Sequence, residues 1–122
     1  MKVFHDGGDG VTEVSKKHFA RYFKNLTPIE LIVRKHGHFT FELYGIVKNE
    51  ERTPVLILES GFDCGYGGTG PHGTAFALEK LKVPKEIIEL MFTKDNLYIN
   101  FRSDKPKVAF FSMGGGPCVA DI

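Results

Sequence analysis

The sequence predicts an α+β fold with a mainly antiparallel sheet of five or six strands and two or three helices packed on one face. Two observations lead to this prediction. The β-rich segments mostly follow one another through short turns, as in hairpins, and strands do not alternate regularly with helices. Other segments repeat apolar residues at helical spacing. A chain of 122 residues with 42% hydrophobic residues is expected to form one domain, residues 1–122.

The first half of the chain is expected to contain one helix among short strands. Thr27-Pro28 is expected to end that helix, because the residue before a proline disfavours helical geometry. The strand at 55–58 is apolar on both faces, which indicates a central position in the sheet. The expected elements are a strand at 2–5, a helix at 12–25 and strands at 29–34, 39–47 and 55–58.

The second half is expected to contain two short helices before the last strands. Pro84 suits the first position of a helix, where a missing N–H costs nothing. Leu97, Ile99 and Phe101 alternate with polar residues, which is typical of a half-buried strand. The expected elements are helices at 74–82 and 84–92 and strands at 97–102 and 108–113.

A glycine-rich stretch between strand 55–58 and helix 74–82 is the most informative part of the sequence. Residues 65–73 include five glycines. A glycine loop before a helix exposes backbone N–H groups at the positive end of the helix dipole, where phosphate and nucleotides bind. We expect Gly67 or Gly68 to adopt a positive φ. The alternative is that these glycines only relieve tight backbone geometry.

Known nucleotide motifs match this stretch in part. Gly65-Tyr-Gly67-Gly-Thr-Gly70 has the letters of the dinucleotide fingerprint, but the acidic residue expected about 20 positions later at a strand end is missing. A Gly-Lys-Ser/Thr ending is also missing, so the stretch is not a Walker loop. No complete catalytic signature accompanies it.

The segment from Gly61 to Leu81 also carries a family resemblance. Gly61-Phe-Asp-Cys-Gly-Tyr-Gly-Gly-Thr-Gly-Pro71, followed by a short Ala/Leu helix, resembles a small uncharacterised family of phages and mobile elements with a Gly-Tyr-Gly-Gly-Ser/Thr-Gly-Pro motif. The chain departs from that pattern at His72-Gly-Thr74. The resemblance implies a mobile-element origin. A phage protein in the host cytosol suggests a sponge that sequesters a nucleotide signal of bacterial defence.

The sequence therefore predicts a non-catalytic protein that binds a small phosphorylated ligand, with a nucleotide signal as the preferred candidate. The loop would supply amides and hydroxyls, Tyr66 a stacking surface and His72 a switchable donor. Strand 97–102 would add charge and hydrogen bonds if it neighbours strand 55–58. The predicted binding residues are Gly65, Tyr66, Gly67, Gly68, Thr69, Gly70, His72, Gly73, Thr74, Tyr98, Asn100 and Arg102. No cofactor or metal is predicted.

Two other classes of function remain open. His38-Phe-Thr40 and His72-Gly-Thr74 have the H-x-T pattern of phosphoesterases that use paired histidines on a cyclic phosphodiester. Cys64 near a helix start could be a thiolate nucleophile with His72 as its base. If the loop is structural only, the protein is instead an interaction module.

Composition limits the partners and the location. A net charge of +1 argues against a duplex-DNA binder. The chain shows neither an apolar run of membrane-spanning length nor a signal-like start, so we expect a cytoplasmic protein without a membrane partner. Cys64 and Cys118 are expected to be free thiols, and the segment His5–Asp9 a turn instead of a metal site. The apolar run Phe110–Met113 suggests a homodimer or higher oligomer.

Overall fold

The computed structural model describes residues 1–102, 107–111 and 118–121, in which three α-helices accompany one seven-stranded sheet. A 3₁₀ turn, Phe23–Asn25, extends the first helix toward the second strand. In chain order the elements are β1 (Lys2–His5), α1 (Thr12–Tyr22), β2 (Leu26–Arg34), β3 (Phe41–Val47), β4 (Pro54–Glu59), α2 (Thr69–Lys80), α3 (Lys85–Met91), β5 (Asn96–Asn100), β6 (Lys107–Phe111) and β7 (Cys118–Asp121).

The strands are ordered β1-β4-β3-β2-β5-β6-β7 across the sheet. Every neighbouring pair is antiparallel except β1 and β4, which run parallel with Lys2 opposite Val55 and His5 opposite Leu58. The predicted α+β class with a mainly antiparallel sheet is confirmed, but the sheet has seven strands instead of five or six, because the last strand, β7, was not predicted. The parallel pair has a local consequence, because it brings the loop after His5 beside the end of β4.

The core lies on one face of the sheet. Leu31, Leu43 and Ile57 are opposite one another on adjacent strands and have no exposed surface. Period-2 alternation puts their neighbours on the other face, where these are half-buried. The inward row packs against fully buried helix residues, including Phe19 of α1 and Leu78 of α2. The predicted placement of the helices on one face is therefore confirmed.

Several boundaries differ from those expected from the sequence, and two of these differences, in β2 and α2, involve proline or glycine. β2 starts at Leu26 and passes through Pro28, and a register shift between Pro28 and Glu30 absorbs the residue that cannot donate a ladder hydrogen bond. Helix α2 starts at Thr69, so residues 69–73 are helical instead of forming a loop.

The expectations about a membrane and about a second copy of the chain can be compared with the structure only in part. None of the helices within the described residues is long and apolar enough to cross a membrane. The oligomer prediction rests on Phe110–Met113, and Met113 lies outside the described residues. Association with a second copy therefore stays a prediction.

Candidate functional site

The first loop of the chain folds around the carboxylate of Asp6. This carboxylate accepts hydrogen bonds from the backbone N–H of Ser60 at 2.8 Å and of Gly8 at 3.1 Å. The hydroxyls of Ser60 and Ser15 also donate to it. Partial burial alone would raise the pKa of Asp6, but these hydrogen bonds hold it below its usual value. Asp6 thus ties the end of β1 to α1 and to the end of β4.

A buried carboxyl and a buried imidazole lie next to this loop. Glu59, the last residue of β4, has no exposed surface, and its Oε1 is hydrogen-bonded to Nδ1 of His18 on α1. Burial, and then the negative charge of Asp6, raise the pKa of Glu59 to about 9. Burial lowers the pKa of His18. Near pH 7 the pair is therefore a neutral acid bonded to a neutral imidazole.

The position of the proton in this pair follows from its hydrogen bonds. Oε2 of Glu59 has no hydrogen-bond partner among the described residues, whereas Oε1 faces Nδ1 of His18. The carboxyl proton is best placed on Oε1, from which it is donated to Nδ1. The imidazole hydrogen then resides on Nε2, which is left free for other partners.

A cleft of about 230 Å³ opens beside this histidine and is called the His18 cleft below. Lys17 and Arg21 of α1 are exposed there and make no ion pair with any described residue. Because Glu59 engages Nδ1 of His18, Nε2 is the ring nitrogen that can face the cleft. The residues that line it are His5, Asp6, Val14, Lys17, His18 and Arg21.

A second cavity, of about 270 Å³, has Arg21 as a lining residue in common with the first; it is called the aromatic cavity below. Its apolar lining includes Phe4 and Tyr22, whose rings stack with centroids 4.7 Å apart. Tyr22 also meets the ring of His18 edge-on at 5.0 Å. Asn49 and Thr53 are among its polar lining residues.

The predicted glycine loop is shorter than expected. Gly65–Gly68 remain outside helix α2, and the positive φ falls at Gly65 (+87°) instead of at Gly67 or Gly68. Gly70 and Gly73 are buried within α2. A Cβ on Gly73 would lie 2.5 Å from Thr12 Cγ2, so this glycine allows α1 and α2 to approach. These inner glycines therefore have a packing role.

The start of α2 already holds a carboxylate of the chain itself. A Cβ on Gly70 would lie 2.0 Å from Asp63 Oδ1, which puts this carboxylate against the first turn of α2. The Tyr66 hydroxyl donates to the other oxygen, Oδ2, at 2.9 Å. Thr74 is buried and donates its hydroxyl to the backbone oxygen of Asp63 at 2.6 Å. An incoming anion would meet this carboxylate at the first turn of α2, although Oδ1 itself has no hydrogen-bond partner among the described residues.

The other predicted loop residues are exposed or engaged locally. Thr69 and Tyr66 are exposed, Tyr66 by 43%. Nδ1 of His72 lies 2.8 Å from the carbonyl oxygen of Gly68, and its ring packs against Phe92 at 5.0 Å. These contacts neither require nor exclude a ligand, and a role of this loop in binding stays a prediction.

The structure does not bring the predicted residues of strand β5 to the glycine loop. β3 and β2 lie between β4 and β5. Tyr98 and Asn100 alternate with the buried Leu97 and Ile99, so they project from the face opposite the helices. Arg102 pairs with Glu30, with 3.3 Å between Nη2 and Oε1. Strand 97–102 therefore does not neighbour strand 55–58, and the condition under which it was to contribute to the loop site is not met.

The residues of the alternative hypotheses are also separated. His38 packs on Phe39, with ring centroids 4.5 Å apart, and against Gly8, whereas His72 packs on Phe92. No contact within the described part of the chain joins the two histidines. Cys64 has no exposed surface, and burial raises the pKa of its thiol to about 12, which leaves it unreactive near neutral pH.

Sequence reasoning missed the His18–Glu59 pair because both residues fit the core pattern of their elements. His18 shares a helical face with Phe19 and Tyr22, and Glu59 follows the apolar strand 55–58. An ionisable residue at a position that periodicity assigns to the core was the available signal. Among the described residues, no group of three or more His, Cys, Asp or Glu side chains is arranged to hold a metal ion.

Protein-family models, curated proteins and solved structures were each compared with the chain, and none of the three comparisons gave a match.

Proposed function

We propose that the protein binds a small phosphorylated ligand in the His18 cleft. The observation that carries the proposal is the arrangement of Lys17 and Arg21, two cations without a described ion pair, beside a histidine that Glu59 holds in one orientation. The ligand class is the one expected from the sequence, but the site is a different one.

The three side chains supply complementary contacts to a phosphate group. Arg21 presents a planar fork of donors that matches two phosphate oxygens, and Lys17 adds a mobile point charge. His18 adds a neutral Nε2–H donor, because Nδ1 already accepts the proton of Glu59. Asp6 is the opposing charge in the cleft, and its oxygens are engaged by donors from Ser15, Ser60 and Gly8.

The geometry favours this cleft over the glycine loop. At the loop, the carboxylate of Asp63 lies against the first turn of α2 and accepts a hydrogen bond from the hydroxyl of Tyr66. Lys35, which approaches the loop at Gly65, has its Nζ 3.8 Å from the carboxylate of Asp95. At the His18 cleft, the nearest cations have no such described partner.

The test is a titration with inorganic pyrophosphate at low salt, followed by isothermal calorimetry. We expect saturable binding that Arg21→Gln weakens about tenfold, since a hydrogen bond to a charged group contributes about 1.5–3 kcal/mol. Lys24→Gln is the matched control, because it removes a cation from the turn after α1 but not from the cleft. Absence of binding by the unaltered protein, or equal weakening by both variants, would refute the proposal.

A second measurement decides whether the bound compound is altered. The protein is incubated with a panel of cyclic and linear nucleotides, heated to unfold it, and the released compounds are analysed. Intact ligand recovered after depletion from solution supports binding alone. Cleaved ligand supports the phosphoesterase alternative, and the same experiment on His18→Gln and His72→Ala then tells which histidine is required.

A further inference from the structure

We infer that the ligand of this site is of the nucleotide type: a phosphate that binds in the His18 cleft, joined to a planar nitrogen heterocycle that binds in the aromatic cavity. The inference rests on the proposed function, because it extends the same site into the space beyond Arg21.

The sizes of the two spaces support a ligand with two parts. The His18 cleft measures about 230 Å³ and the aromatic cavity about 270 Å³. Pockets for small-molecule ligands usually have volumes of about 300–1,000 Å³. Each space alone falls short of that range, and the two together fall within it. Arg21, which lines both, is the link between them.

The lining of the aromatic cavity suits a flat, partly apolar ring. The stacked pair Phe4–Tyr22 offers an aromatic surface, and Val47 and Val55 add aliphatic walls. Bases stack on aromatic side chains whatever their identity, because every base has a π-face. A sugar phosphate or an inorganic polyphosphate has no such plane and leaves this surface in contact with water.

The polar lining of the cavity suits the edge of a base. Asn25 and Asn49 line it, and their side-chain amides make no hydrogen bond to any described residue. An amide carries both a donor and an acceptor, which is the combination that base edges present. Thr53 adds a hydroxyl without a described side-chain partner. A purely apolar ligand would bury these groups without replacing their hydrogen bonds to water.

The inference is tested by comparing ligands that share a phosphate and differ in the ring. Adenosine, guanosine, cytidine and uridine 5′-monophosphates are titrated against ribose 5-phosphate by isothermal calorimetry. At least one of the four is expected to bind about tenfold more tightly than ribose 5-phosphate, as stacking of one base on an aromatic side chain predicts. Equal affinity of all five compounds would overturn the inference and leave the phosphate proposal intact.

Two neighbouring substitutions on β3 locate the ring. Val47→Phe fills the aromatic cavity, and Ile46→Phe places the same ring on the opposite face of the strand. Val47→Phe is expected to abolish the tenfold preference and to leave pyrophosphate binding unchanged, which also shows that the variant is folded. Ile46→Phe is expected to change neither the tenfold preference nor the binding of pyrophosphate. A preference that survives in a folded Val47→Phe variant would overturn the inference.

A third variant covers the case in which Val47→Phe does not fold. Asn49 is exposed, and Asn49→Leu removes an amide without adding to the core. It is expected to reduce the differences in affinity among the four nucleotides at least threefold. Unchanged differences in affinity among the four nucleotides would overturn the inference that the base binds in the aromatic cavity. Failure of pyrophosphate to bind would refute the proposed function together with the inference that rests on it, whereas equal affinity of the five compounds overturns the inference alone.

Discussion

Replacing Glu59 by glutamine tests the protonation of the buried pair through the stability of the protein. The pKa of Glu59 is about 9 in the folded protein and 4.5 without its surroundings, and burial lowers the pKa of His18 from 6.5. Between pH 6.5 and 9 the folded pair holds more protons than the unfolded pair, and the difference is close to one proton in the middle of this interval. The free energy of unfolding therefore falls as the pH rises, by about 1.4 kcal/mol per pH unit.

The pH dependence weakens below pH 6.5, because the unfolded chain then also holds a proton on the pair, on the histidine instead of the glutamate. The loss that accumulates from pH 6.5 to 9 is roughly 3 kcal/mol. In Glu59→Gln the amide stays neutral and can still donate to His18, so this loss is expected to disappear.

Urea unfolding followed by circular dichroism at pH 6, 7, 8 and 9 measures the effect. Glu51→Gln is the matched control, because Glu51 is exposed in the turn between β3 and β4 and its replacement leaves the buried pair intact. The unaltered protein and the control are expected to lose stability in parallel above pH 6.5. An equal loss in Glu59→Gln would refute the assignment of the proton to this residue.

Three further predictions concern the glycine-rich segment. Gly73→Ala is expected to lower the free energy of unfolding by about 1–3 kcal/mol, because its Cβ would overlap Thr12. Gly67→Ala, which has open space around it, is expected to change this free energy by no more than about 0.5 kcal/mol. Urea unfolding that ranks the two variants in the opposite order would contradict the packing role of Gly73. Cys64 is expected to react with a disulfide reagent at pH 8 only after unfolding, and rapid reaction of the native protein would contradict its burial. His72→Ala is expected to leave pyrophosphate affinity unchanged in calorimetry, and a tenfold loss would return the site to α2.

Local patterns predicted the elements of the fold better than the position of the site. Hairpin turns and helical spacing are local signals, and they located α1, α3 and most strands. The start of α2 was missed because glycine normally weakens a helix, and the reason for Gly70 and Gly73 lies in residues distant in sequence that leave no room for a Cβ.

The candidate site depends on contacts that local patterns do not encode. The parallel pairing of β1 with β4 joins Lys2 to Val55 and brings Asp6 to Ser60. Nothing in the composition of residues 2–10 specifies that partner. The glycine loop is therefore visible in the sequence, whereas the polar cluster around Asp6 is assembled only by the sheet.

The edge position of β1 makes the site depend on a short strand that, among those described, is paired on one side only. β1 is four residues long and is hydrogen-bonded to β4 on one side only. It nevertheless supplies Phe4 to the aromatic cavity and His5 to the His18 cleft, and Asp6 follows it directly. β1 pairs with β4, so the whole chain between the two strands must close into a loop before they can pair. The strand is therefore expected to dock late in folding and to open early. A bound ligand that touches both α1 and β1 would hold the strand in place. Amide hydrogen exchange in β1 then reports occupancy of the site without a label on the ligand.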